Sequence, residues 1–123
     1  MARSSTSGPI GYTDRGAVSQ ATDITTAVTI NRAAGTITTQ DPALAAAGET
    51  EFTVNNSVVE AGDVVAISIA SGPADDEHVM AFVSSVSAGA FTIALTNLAA
   101  ANQADGAMVI NFIVFKTNLP TGL

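Results

Sequence analysis

His78 is the single imidazole in this chain, and three carboxylates, Asp75, Asp76 and Glu77, stand directly before it. Three acidic side chains in one loop offer the hard oxygen ligands that a calcium-type cation takes. The ordered ligand spacing of a calcium loop is missing from "SGPADDEH", so a solvated acidic turn between two strands is the expected role, with cation binding as its competitor. Glu49 and Glu51 lie two apart at the start of a strand and should share a face, and Glu60 and Asp63 flank the turn before the next strand. A glycosidase places two carboxyls across a sugar cleft. Such clefts usually supply aromatic stacking surfaces, and the chain has no Trp and one Tyr. Turn and edge roles are therefore expected for these carboxylates.

Nucleophilic chemistry has no better foothold. Ser and Thr are abundant, but no Gly-x-Ser-x-Gly elbow and no glycine-rich loop ending in Lys-Ser or Lys-Thr occurs. With no cysteine, thiolate ligation and disulfides are excluded. The residues point to a protein that is not an enzyme, with no cofactor and no resident metal.

The elements that carry these residues read as strands. Residues 16–117 alternate apolar and polar residues in short runs, with turn signals every 8 to 12 residues. "AVTINR" and "GTITTQ" flank Ala33 and Ala34 and suit a tight hairpin. "TEFTVNN" turns Phe52 and Val54 one way, and "DVVAISIAS" turns Val65, Ile67 and Ile69 away from Val64, Ala66 and Ser68. "HVMAFVSSVSAG" folds back through Ala88 and Gly89 into "AFTIALTNL". "AMVINFIVFK" is apolar on both faces, which predicts a central strand covered on both sides. Asn111 interrupts it and needs hydrogen-bond partners, so it should fix register or a subunit contact.

"DPALAAAGETE" and "NLAAANQADGA" are too short and too broken by Gly or Pro for more than loops or a single turn. The sum is an all-β chain: a single antiparallel β-sandwich or jelly-roll domain of about seven to eight strands. Residues 1–15 form an extended N-terminal arm, 16–117 the domain and 118–123 a C-terminal tail. Phe52, Phe82, Phe91, Phe112 and Phe115 are expected in the core. Phe115, beside Lys116, is the one of these best placed for a subunit interface.

Composition limits the partners. Hydrophobic residues make up 47% of the chain and charged ones 12%, half the charge of an average soluble protein. Much of the exterior is then neutral and suited to contact with other protein. The formal charge of −7 repels phosphate backbones, so nucleic acid is not an expected partner. "MARSSTSGPIGYTDR" lacks the apolar centre of a signal peptide, and no run approaches the roughly 18 apolar residues of a membrane span. A cytoplasmic product without a membrane partner is expected.

"GAVSQATDITTAVTINRAAGTITT", "AAAGETEFTVNNSVVEAGDVVAISIAS" and "SAGAFTIALTNLAAANQADGAMVINFIVFK" together resemble small β-rich virion proteins of tailed bacteriophages over about Gly16 to Lys116. The resemblance lies in the pattern of strands and turns. It implies a capsid decoration, or cement, protein that is made in the host cytoplasm and ends on the capsid exterior. Its partner would be the major capsid protein, met by a homotrimer on a local three-fold axis. Head fibres and tail-associated receptor-binding or carbohydrate-binding domains carry similar β-domains. On either role, Arg3, Ile10, Tyr12 and Arg15 of the arm, with Asn111 and Phe115, are the candidate interface residues.

Overall fold

The computed structural model of the chain describes residues 12–74 and 78–117. They form eight strands and no helix: β1 (Arg15–Ser19), β2 (Val28–Thr29), β3 (Ala34–Thr38), β4 (Glu49–Asn55), β5 (Val64–Ser71), β6 (Val79–Ser87), β7 (Ala90–Asn97) and β8 (Val109–Phe115). The strands build two four-stranded sheets, ordered β1-β3-β8-β5 and β2-β4-β7-β6. The all-β expectation holds, and Arg15, the last residue of the expected arm, already belongs to a sheet.

Both sheets are mixed, which corrects the antiparallel expectation. β1 runs parallel to β3 and β2 parallel to β4, while the remaining pairs are antiparallel. The cause is the path of the chain. Every connection but β6 to β7 passes from one sheet to the other, so β1 finds β3, and β2 finds β4, as the sheet neighbour two places on, heading the same way.

The predicted hairpin between "AVTINR" and "GTITTQ" is lost for the same reason. β2 and β3 belong to different sheets, and the intervening backbone is carried across by the Asn56 carboxamide, which donates to the Ile30 and Arg32 carbonyls at 2.8 and 2.7 Å. The hairpin through Ala88 and Gly89 does form. There Ser87 pairs with Ala90, and Gly89 takes a φ of +86°, a left-handed conformation that glycine adopts without steric cost.

One apolar core draws on both sheets. Ile37, Ile110, Phe112 and Val114 of the first meet Phe52, Val54, Phe91, Ile93 and Leu95 of the second. Val65, Ile67 and Ile69 pack against it from β5, on the face that the alternation assigned to them. The Phe91 and Phe112 rings approach to 5.5 Å between centroids at 54°, a tilted contact between the sheets. Burial stabilises each such side chain by about 1.5–3 kcal/mol.

Three buried carboxamides tie the loops to this core. Gln20 donates to the Ile24 and Thr26 carbonyls and accepts from the Gln40 amide. Asn56 also accepts from the Val58 and Val59 amides. Asn97 donates to Leu44, Ala45 and Asn102 and accepts from Ala99. Both Ala-rich segments are loops, as predicted, and they meet at a two-way bridge between Leu44 and Ala104.

Candidate binding surface

The outward face of the β1-β3-β8-β5 sheet is assembled row by row from strand register. Arg15, Ala34, Ile113 and Ala66 form one row, and Ala17, Thr36, Asn111 and Ser68 the next. Phe115 and Val64 form a shorter row at the end of β8. Arg15 is the only charged side chain among them. It pairs with no carboxylate among the described residues.

Small side chains at Ala34, Ala66 and Ser68 leave a shallow depression of about 570 Å³, which Tyr12, Arg15, Asn111 and Ile113 also line. Three candidate residues from two distant parts of the chain, Tyr12 and Arg15 before and in β1 and Asn111 in β8, thus meet at one place. Asn111 is half-buried rather than enclosed, and its Oδ1 accepts a 2.9 Å hydrogen bond from the Thr36 hydroxyl. Phe115 stands on the same face, 46% exposed. Arg3 and Ile10 lie outside the described residues.

The approach to β1 is held by Asp14. Its carboxylate accepts from the Arg32 guanidinium at 3.1 Å and from the Ala33 amide at 3.2 Å, while its carbonyl accepts from the Ala34 amide. The Arg32 hydrogen bond, followed by that from Ala33, holds the Asp14 carboxyl below the usual carboxylate range. These contacts fix the chain between Tyr12 and Arg15 against the end of β3.

β8 is central in its sheet but covered on one side only, contrary to the two-sided burial predicted for it. Ile110, Phe112 and Val114 are buried, while Val109, Asn111 and Ile113 are partly open. Two of the five phenylalanines assigned to the core are also exposed, Phe115 on β8 and Phe82 on β6. In β6 the inward positions belong to Val79, Ala81, Val83 and Val86, which leaves Phe82 and Met80 on the outer face.

That second outer face holds Glu49 and Glu51, which share it as their spacing predicts. They border a smaller cleft of about 280 Å³ with Phe82, Ser84 and Ala94. The Thr96 hydroxyl donates to Glu49 at 3.2 Å and the Ser84 hydroxyl to Glu51 at 3.5 Å. Both carboxylates lie on exposed residues.

Asp63 has a different task. Its side chain is wholly buried, receives the Lys116 ammonium at 2.6 Å and accepts from the Glu60 and Thr117 amides. Burial pushes the Asp63 carboxyl up, but the Lys116 hydrogen bond and the two amides outweigh it and hold the group below its ordinary value. Lys116 is raised in turn, chiefly by its hydrogen bond to Asp63. The pair clamps the end of β8 to the turn that starts β5.

The acidic loop residues Asp75, Asp76 and Glu77 lie outside the described residues, and with them both the expected solvated turn and its competitor, a cation site. Among the described residues no group of three or more His, Cys, Asp or Glu side chains converges. His78 is exposed, and its carbonyl accepts from the Leu98 amide. No described helix is long and apolar enough to cross a membrane.

Sequence reasoning passed over Val64, Met80 and Phe82 as surface residues. Alternation in "VVAISIAS" does turn Val64 outward, and the serines of "VMAFVSSVS" mark the open face of β6. No family model, curated protein or solved structure matches this chain.

Proposed function

We propose that the two sheets form a β-sandwich and that the chain is a non-enzymatic capsid decoration protein of a tailed bacteriophage. It binds the outside of the assembled shell and stabilises contacts between major capsid subunits. The observation that carries this is the outer face of the β1-β3-β8-β5 sheet. On a chain of charge −7, that face presents no carboxylate from its strands among the described residues and exposes Val64 and Phe115. A partly apolar face of this kind, with Arg15 as its one charge among the described strand residues, suits contact with another protein. Several copies on one shell multiply weak contacts by avidity.

The test is co-sedimentation with shells assembled from the major capsid protein of the encoding phage. The expected result is saturable pelleting of the chain and a higher disruption temperature for the shells. Phe115→Glu, at an exposed site, should keep the fold and lose at least tenfold in shell affinity. Absence of pelleting at micromolar protein would overturn the proposal.

A second reading is a receptor-binding or carbohydrate-binding domain of a head fibre or tail. It draws on the depression at Tyr12, where an aromatic ring adjoins the polar Ser68 and Asn111. Glycan-array binding that is lost in Tyr12→Ala, with no pelleting on shells, would favour it.

A further inference from the structure

One side of the molecule ends both sheets in long strands without charge. Among the described residues β5 and β6 are the outermost strands of their sheets there, eight and nine residues long, and they pack near each other between the layers. Neither "VVAISIAS" nor "VMAFVSSVS" contains a charged residue or a proline. On the other side the sheets end in β1 and β2, only five and two residues long, and β1 opens with Arg15. β-proteins that stay apart guard their edges with short strands, charges, prolines or bulges. The β1 and β2 side follows that rule. The β5 and β6 side keeps only a bulge in each strand, and it exposes Val64, Met80 and Phe82.

We infer that this side joins two copies of the chain, edge to edge, about a two-fold axis normal to the sheets. β5 then lies antiparallel to β5 of the second copy, and β6 to its counterpart. Each four-stranded sheet continues into an eight-stranded one, and the outward main-chain N–H and C=O groups of both edges gain partners.

Charge selects a second copy and this symmetry. Two chains of charge −7 repel wherever carboxylates face each other, and β5 and β6 bring none. Asp75, Asp76 and Glu77 fall in the link between Ser71 of β5 and Val79 of β6, so they are tethered to one end of this side. A two-fold axis normal to the sheets places the two links at opposite ends, about 30 Å apart at 3.3 Å per residue, several Debye lengths in physiological salt, and sets each beside the second copy's turn before β5, where Lys116 offsets Glu60 and Asp63. A three-fold axis along the same strands would gather three links at one end.

Area is sufficient. A strip about 30 Å long and about 20 Å wide, two layers with their outward side chains, buries roughly 1,200 Å² in total, the lower bound of a specific interface. The pairing stands on the edges and does not depend on the shell-binding proposal.

Light scattering on the full chain after size exclusion tests it. The expected mass is twice the 12.3 kDa of one chain. Phe82→Lys and Ala70→Lys, at exposed positions on the two edges, should each reduce it to one chain with an unchanged far-ultraviolet dichroism spectrum, while Thr29→Lys on β2 leaves it at two. Phe115→Glu should keep the two-chain mass even where it abolishes shell pelleting, which separates the two proposals. Hydrogen exchange on the unmodified protein serves if a lysine variant does not fold, and β5 and β6 amides should exchange faster on dilution. A mass of one or three chains, an unchanged mass in folded lysine variants, or concentration-independent exchange in β5 and β6 would overturn the inference.

Discussion

Asn56 spends its carboxamide on backbone from two separate segments, Ile30 and Arg32 on one side and Val58 and Val59 on the other. Asn56→Ala strips four backbone groups of a partner, and unsatisfied buried groups are costly. Unfolding in urea should therefore show a loss of about 2–4 kcal/mol, and a loss below about 0.5 kcal/mol would contradict this account. At Asp63 the sign of the pH effect follows from its lowered carboxyl. Its contribution is complete above the unfolded value near pH ~4 and fades as pH falls through the folded one. Lys116 is raised, so its share is complete below pH ~10.4 and fades as pH climbs past that. Thermal melts of Asp63→Asn should start lower at neutral pH and decline less steeply below pH ~4 than those of the unmodified protein. Part of the acid decline will persist, because Asp14, held by Arg32, and Asp23, held by the Thr25 hydroxyl, are lowered too. Parallel acid limbs in the two proteins would contradict the assignment.

At the scale of elements, β3 shows how closely one strand is fitted. A Cβ on Gly35 would come within 2.7 Å of the Ile30 Cδ1, 2.8 Å of the Gly16 carbonyl oxygen and 3.0 Å of the Phe112 ring. The backbone oxygen cannot step aside as a side chain does, so Gly35→Ala should cost about 1–3 kcal/mol, read as a lower melting temperature. An unchanged melt would show that β1 can shift away from β3. The individual strands were legible because alternation is local: Phe52 with Val54, and Val65 with Ile67 and Ile69, face the core as their spacing says. Pairing was not legible, because which strand lies beside which depends on buried amides such as Asn56 and on crossings that leave no periodic trace. Phe82 misled for a related reason. An aromatic at a strand position predicts burial, but in β6 the inward parity belongs to the valines and Ala81.

Across the whole molecule, the composition anticipated a neutral exterior and the structure gives it a location. The outer face around Asn111, where Arg15 is the one charge among the described strand residues, and the uncharged edges β5 and β6 meet along β5 at Val64, so shell docking and pairing are separated by substitutions away from that strand, at Phe115 for the first and Phe82 for the second. Tyr12, Arg15 and Asn111 could be named from sequence as contact residues one by one. Their convergence on one depression needed the parallel β1 and β3 pair, which no local pattern announces. That same pair settles where the chain can be held. Arg15, which opens β1, shares a row with Ile113, two residues before the end of β8, so the first and last strands enter and leave at one pole of the sheet. The links that follow β1, β3 and β5 and precede β8 lie at the other. Chain joined directly before Arg15 or after Phe115 meets the sheet at the Arg15 pole, and an insertion in the link between β5 and β6 would be displayed at the opposite one, which makes the fold a two-ended carrier.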